Sequence, residues 1–459
     1  LINGFNGIKL IDFDDETNNS YNVVTELTYK NGEDEFRPDI IPLINGIPLS
    51  FIEVKKPNNR EGILAERNRI NARFSNPKFK KFANLTQLLV FSNNDEYDEE
   101  SIVPIQGAFY GTSSYSNVFF NCFREEDVGI INYIKPINQT EEEKILIDTN
   151  YVTLKGTAEY NTNLDINTPT NRIITSLFTK ERFLKILKYG IAYVEKLDKN
   201  GIIQIQKHIM RYPQLFATLA IENKLEQGID KGIIWHTQGS GKSFSMVFYT
   251  GNMIKVLNNP SIVVVTDRND LDNQLFTTFA KCSGYLKQEP VQIENRQDLN
   301  EKLEGRKSGG IFFTTLQKFE EETGVFSKRD DILVLVDEAH RSHYGLDATI
   351  KFDKAKMEAY KKYGTAKYLH DAFPNATYIG FTGTPVETKD KSTTNVFGNI
   401  IDTYDMTQAI MDGATVPIMY ESRMARVGLN QKILDEIDDY YNMLETEEGI
   451  DDYKIAESK

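Results

Sequence analysis

The stretch GIIWHTQGSGKSFSMVFY, residues 232–249, decides the fold. Gly232 to Trp235 read as a buried strand, Thr237-Gln238-Gly239-Ser240-Gly241-Lys242-Ser243 as a tight loop, and the apolar run after it as a helix. A loop of this composition turns its backbone N–H groups inward. The helix N-terminus behind it adds positive partial charge, so the two together suit a phosphate chain. In such a loop Lys242 reaches the β- and γ-phosphates, and the Ser243 hydroxyl is placed on Mg²⁺. The full G-x-x-x-x-G-K-[ST] spacing asks for glycine at position 236, where this chain has His236, so the match is to a looser form.

About 95 residues further on, ILVLVDEAHRSH (332–343) sends an apolar strand into two acids. That puts Asp337 and Glu338 at the carboxyl edge of a sheet, where α/β folds bind their ligands. Asp337 is suited to hold Mg²⁺ through water and Glu338 to orient an attacking water. His340 and His343 have a spacing a metal could use, but no third ligand accompanies them, so no zinc site is expected. IVVVTD, GIFFTT and ATYIGFT alternate with helix-length segments, the pattern of a doubly wound parallel sheet buried on both faces.

Working outward, residues 1–150 carry short β-rich runs interrupted by one charged helical stretch from Glu61 to Phe74, which predicts a smaller α/β domain with a mixed sheet. Residues 151–200 read as a connecting helical segment, 201–396 as the doubly wound lobe, and 397–459 as the start of a further lobe that is cut short and ends in an acidic tail. The chain has 459 residues, 53 basic against 67 acidic, for a net charge of −14. From Ile433 to Lys459 there are ten acids and two bases, so this tail holds more than half of the net charge. The acidic balance therefore does not exclude nucleic acid as a partner. The two cysteines, Cys122 and Cys282, rule out a disulfide framework or a zinc finger and fit a reducing compartment. No apolar run is long enough to span a membrane, and the N-terminus has no signal-peptide pattern. The expectation is a cytoplasmic protein, trimmed at the front because no Met begins it.

A second constellation lies upstream: Arg37-Pro38-Asp39-Ile40-Ile41, then Asn45-Gly46, then Phe51-Ile52-Glu53-Val54-Lys55. Asn-Gly between two apolar runs signals a hairpin. Glu53 and Lys55, two apart on a strand, share a face. A strict two-residue turn pairs Asp39 with Ile52 and leaves Glu53 on the wrong face. A joint site thus requires a one-residue bulge or a three-residue loop, and Pro48 marks where such a break would fall. If the cluster forms, Asp39 and Glu53 can bind one or two Mg²⁺ ions and Lys55 can help orient a water.

The motifs of the second half resemble those of superfamily 2 helicases and translocases. Gly239-Ser240-Gly241-Lys242-Ser243 and Asp337-Glu338-Ala339-His340 are similar to the two nucleotide motifs. Val265-Thr266-Asp267-Arg268-Asn269-Asp270-Leu271 with Gln274-Leu275 resembles a DNA-backbone motif, and Phe313-Thr314-Thr315-Leu316-Gln317-Lys318-Phe319 the one after it. Phe381-Thr382-Gly383-Thr384-Pro385 resembles the motif that links hydrolysis to strand movement, and His340 would be a coupling residue. The resemblance implies that Gln214, in Arg211-Tyr212-Pro213-Gln214, reads adenine and that Gln238 belongs to the nucleotide site.

Pro-Asp, a gap, then Glu-x-Lys resembles the PD-(D/E)xK nucleases. Such a nuclease followed by such a motor is similar to the motor (R) subunit of type I restriction enzymes, over roughly residues 20 to 425. That likeness implies a PD-(D/E)xK endonuclease domain over 1–150 and a first RecA-like lobe over 201–396. A second RecA-like lobe would begin at 397 and be truncated, so the chain would be the N-terminal half of a larger subunit, poor in ATP turnover alone. ATP and Mg²⁺ are the implied cofactors. Double-stranded DNA and the methyltransferase (M) and specificity (S) subunits are the implied partners. Where the family often has Gln-x-x-x-Tyr, this chain has Arg69 and Arg73, able to contact phosphate or to pair with Glu66. Asn22 and Glu26 match a family asparagine and a further acidic position. The rival readings are a stand-alone repair or anti-phage helicase-nuclease and a non-catalytic scaffold gated by nucleotide.

Overall fold

The computed structural model describes residues 9–55, 60–97, 106–113, 118–126, 137–197, 200–267, 269–319, 324–341, 349–353, 358–362, 365–385, 387–388, 391–416 and 435–439. Residues 1–416 form one compact unit and 417–459 a second, of which 435–439 are described, as helix. Arg268, the side chains of residues 269–273, and His343 lie outside the described residues, as does most of the acidic tail.

The motor half of the first unit is a seven-stranded sheet. Its order is Pro290–Gln292, Ile311–Thr315, Ser261–Thr266, Ile332–Val336, Thr377–Thr382, Lys231–His236, Ile400–Tyr404, and every pairing in it is parallel. Successive residues of a strand point to opposite faces, and here both faces are covered. Ile262 and Val264 join one core with Ile234, Leu333 and Leu335. Val263 and Val265 join another with Ile233, Val334 and Val336. The strand Ile400–Tyr404 corrects the expected boundary at 397. It pairs parallel with Lys231–His236 and so completes this sheet. As a short edge strand following Gly398, it reads from sequence like the opening of a new lobe.

The N-terminal half is built on a mixed seven-stranded sheet. Tyr21–Thr25, Ile40–Ile44, Ser50–Val54, Leu88–Ser92, Ala108–Gly111 and Asn121–Cys122 follow in order, and Ile47–Pro48 adds to Ile40–Ile44. The pairing of Ser50–Val54 with Leu88–Ser92 is parallel and the others are antiparallel. One face packs Phe51, Leu89 and Phe91 against Ile70 and Phe74 of the helix Arg60–Ser75. The opposite face packs Ile52, Leu88, Val90 and Tyr110 into the same core as the motor's helices.

That shared core makes the two halves one body. The Tyr110 hydroxyl donates to the Met210 carbonyl at 2.7 Å. The fully buried Asp412 carboxylate accepts from Arg124 at 2.8 Å, from Tyr212 at 2.6 Å and from Tyr404 at 2.8 Å. A hairpin of Ile191–Leu197 and Ile203–Ile209 spans the seam and the expected boundary at 200, and Lys207 donates to the carbonyls of Asn84 and Thr86.

Candidate functional site

The phosphate loop sits at the carboxyl end of Lys231–His236, with Gly239 and Gly241 at φ 81° and 89°. Only glycine takes that conformation without strain. The helix Lys242–Val256 starts directly behind, so its unpaired N–H groups face the loop. The sheet order puts the acids within reach. The strand Ile332–Val336 is separated from the loop's strand by Thr377–Thr382 alone, and Lys242 Nζ comes to 3.9 Å from Glu338 Oε1. Glu338 has φ 46°, a left-handed backbone that costs a non-glycine residue energy and recurs at functional sites. Burial, then the neighbouring Glu338 charge, pushes Asp337 up to about 6, with Lys242 opposing.

His340 Nδ1 lies 3.4 Å from Glu338 Oε2 and 2.9 Å from Thr382 Oγ1, which also accepts from the Thr384 N–H. The acid strand and the Thr382-Gly383-Thr384 segment are therefore joined side chain to side chain. His236 is fully buried, with Nε2 at 2.6 Å from Asp402 Oδ2, so the position that asks for glycine anchors the loop to the edge strand instead.

Gln214 is buried, its Nε2 donating to the Gly241 carbonyl and its Oε1 accepting from the Arg211 N–H. In this state it braces the loop. Beside it a cavity of about 350 Å³ is lined by Gln214, Gly239, Ser240, Gly241, His208 and Phe244, the last two stacked at 5.0 Å. Gln238 is exposed on the loop. The buried Ser240 Oγ makes no hydrogen bond, and this orphan in a cradle of left-handed glycines fits a phosphate ligand.

The carboxylate cluster depends on a slip in register. Asn45 and Gly46, at φ 51° and 76°, make the two-residue turn, pairing Ile44 with Ile47 and Leu43 with Pro48. Beyond Leu49 the pairing is Ile40 with Ile52, one residue out of step. The extra residue is not wasted: the Leu49 carbonyl accepts from the N–H groups of Gln87 and Leu88. The slip brings Asp39 alongside Glu53. Asp39 Oδ2 accepts from the Val54 N–H at 2.8 Å, and Lys55 Nζ lies 3.5 Å from Glu53 and 3.9 Å from Asp39.

Glu53 shares the Phe51 face and so lies beneath the helix Arg60–Ser75, 1% exposed. There it meets the helix's arginines, for which the sequence left open phosphate contact or a pairing with Glu66, and the pairing is what forms. Arg73 binds Glu53 Oε1 at 2.9 Å, and Arg69 grips Glu66 through both nitrogens rather than facing outward for phosphate. Glu66, 2% exposed, lies 3.3 Å from Lys55. Its signal in the sequence is its spacing: Glu66, Ile70 and Phe74 share one helix face, and that face carries the core. Burial first, then repulsion from Glu66 and Asp39, raises the Glu53 carboxyl above its ordinary range, against the pull of Arg73.

Glu26 takes a different place. Its N–H donates to the Asp39 carbonyl, but its side chain turns to Arg37 at 3.5 Å. Asn22 lies exposed on the strand paired with Leu43. Among the described residues no three His, Cys, Asp or Glu side chains form a ready metal cage. The hard oxygens of Asp39 and Glu53 nonetheless suit Mg²⁺, whose habit is one or two carboxylates with water and phosphate completing the shell.

Residues 213–451 match the family model for the SWI2/SNF2 ATPase, and residues 3–98 match that for the type I restriction enzyme R protein N terminus. The chain is 33% identical to the type I restriction enzyme HindI endonuclease subunit of Haemophilus influenzae, over 93% of this chain and 37% of that one. It is 28% identical to the type I restriction enzyme SsaAORF53P endonuclease subunit of Staphylococcus saprophyticus, over 58% of this chain and 28% of that one. A solved structure of the ATP-dependent Type ISP restriction-modification enzyme LlaBIII bound to DNA aligns with 47% of this chain and 16% of its own, at 15% identity and a TM-score of 0.32. The chain thus spans about a third of the length of these curated relatives. Among the described residues, no helix is long and apolar enough to cross a membrane.

Proposed function

Because the chain belongs to the SWI2/SNF2 ATPase family and joins that ATPase to the N-terminal region of type I restriction enzyme R proteins, we propose that it is the cutting and pumping part of a restriction subunit. In this reading the subunit hydrolyses ATP to move along double-stranded DNA, cleaves it in an Mg²⁺-dependent step, and works in the cytoplasm with methyltransferase and specificity subunits. The observation that carries the reading is that Asp39, Glu53 and Lys55 converge within 4 Å on the same compact unit as a phosphate loop.

At the motor, the backbone N–H groups of Gly239 to Ser243 and the Lys242 ammonium bind the phosphates. Ser243 and Asp337 would hold Mg²⁺, and Glu338 orients the attacking water. Gln214 turns from bracing the loop to reading the adenine edge, next to the cavity it lines. His340 and Thr382 carry the change at Glu338 to the Gly383 segment. DNA contacts are to the backbone and salt-sensitive, because a translocase cannot depend on base identity.

At the nuclease, Asp39 and Glu53 would hold Mg²⁺, which when bound polarises the scissile phosphate and makes water a better nucleophile. Lys55 orients that water and balances charge on the phosphate.

The test reconstitutes the full-length subunit with its partners on circular DNA bearing a recognition site and compares wild type with Glu53→Ala. ATP-dependent linearisation should fall at least about a hundredfold with ATP turnover intact, the scale of removing a group that stabilises charge in the transition state. Normal cutting by the variant would mean that these charges are structural. Cutting with no need of partner subunits would favour a stand-alone helicase-nuclease, and no DNA-stimulated ATP turnover in the wild type a nucleotide-gated scaffold.

A further inference from the structure

We propose that Glu66 is the positioning residue of the carboxylate cluster, holding Lys55 and Arg73 so that a divalent cation can take Glu53 and Asp39. This rests on the nuclease reading above.

The cluster holds three carboxylates and three cations, shared unequally. Glu53 touches two cations, Lys55 at 3.5 Å and Arg73 at 2.9 Å. Asp39 touches Lys55 at 3.9 Å. Glu66 reaches all three: Lys55 at 3.3 Å, Arg73 at 3.8 Å, and Arg69, whose Nε lies 3.0 Å from Oε1 while its terminal nitrogen binds Oε2.

A metal entering at Asp39 and Glu53 must displace Lys55 and Arg73 from Glu53. A cation stripped of its partner in a largely buried place is costly, so the exchange is easy only if another anion is already within reach. Lys55 and Arg73 are 22% and 16% exposed in their side chains, too little for water to take over. Glu66 is the anion that already touches both. It cannot follow the metal instead, because Arg69 grips both of its oxygens in the two-pronged arrangement that fixes a carboxylate's direction.

The half-exposed Arg69 is therefore a clamp on Glu66, and Glu66 in turn is a landing place for two cations. The helix that supplies them replaces direct help to the phosphate with charge management beneath it.

The experiment compares wild type, Glu66→Gln, Glu66→Asp and Glu53→Ala in the full-length subunit. Mn²⁺ binding is followed calorimetrically without DNA, and cleavage as a function of Mg²⁺ in the reconstituted complex. Glu66→Gln should raise the half-saturating concentration of either metal about tenfold, the scale of losing an outer-shell partner, while cleavage at saturating metal stays near wild type. Glu66→Asp should fall between the two. Unchanged metal affinity in Glu66→Gln overturns the proposal, and so does lost cleavage at saturating metal, which would make Glu66 a ligand or a catalytic residue. If Glu66→Gln melts before it can be assayed, Glu66→Asp decides on the same criterion. Failure of the nuclease reading looks different: Glu53→Ala would then bind metal and cut like wild type.

Discussion

The two sites of this molecule hold charge in opposite ways. The phosphate loop is seven consecutive residues, Lys242 among them, whose work is done by backbone N–H groups, with two acids brought up from a strand one place removed in the sheet. The carboxylate cluster draws its six ionisable side chains from two strands of one hairpin and the helix that follows, residues 39–73, and the local backbone supplies little beyond the Val54 N–H. A site built from backbone is fixed once its loop folds. A site built from facing side chains exists only if register and helix placement are both right, and its acids must be balanced by the cations beside them.

Ways to break that contrast follow in order of effect. The largest is Lys242→Ala, which should lower ATP turnover at least about a hundredfold and leave Mn²⁺ binding at the carboxylate cluster unchanged. A parallel loss of metal binding, measured calorimetrically, would show that the sites are one unit chemically as well as structurally.

Next is Asp412→Asn. This buried carboxylate joins Arg124 of the N-terminal half to Tyr212 and Tyr404 of the motor. Its loss should destabilise the chain by about 3 kcal/mol, read by denaturant titration. Hydrogen exchange should rise at Asn121–Cys122 and at the start of Tyr212–Glu226 together. A change confined to one half would mean that the shared core, not this ion pair, unites them.

The smallest is a pH effect placed in the motor alone. Burial, then the nearby Lys231, depresses His370 to about 4, and its Nε2 faces the Val396 carbonyl at 3.2 Å. Asp371 and Asp230 oppose the shift, and Tyr378 packs on the ring at 4.0 Å. The native state therefore binds fewer protons than the unfolded chain between pH 6.5 and about 4. The stability is present above 6.5 and is lost as pH falls through that window, by about 3 kcal/mol over its whole width. His370→Gln should flatten the slope of stability against pH there.

The same contrast explains what the sequence made legible. The loop and Asp337-Glu338 could be read because each is a contiguous signal on an apolar strand. The Asn45-Gly46 turn could be read too, together with the need for a one-residue break near Pro48, because sheet alternation is strict. Glu66 could be read as a partner for Arg69 and Arg73, but its contact with Lys55 could not, because that depends on strand and helix packing and a charged helix reads as a solvated one. Arg69 and Arg73 looked equivalent in sequence. Depth separates them, because Arg73 sits a full turn nearer Phe74 and reaches Glu53. The strand Ile400–Tyr404 was assigned beyond the first lobe since an edge strand of a parallel sheet has no hairpin partner nearby to announce it.

The slip at Leu49 has a genetic side. Removing that single codon would make the pairing strict from the Asn45-Gly46 turn onward and still set Ile40 against Ile52 and Asp39 beside Glu53. What would be lost is the carbonyl that accepts from the N–H groups of Gln87 and Leu88. In-frame loss of this residue would thus spare the faces of Glu53 and Lys55 and weaken the join to the next strand instead.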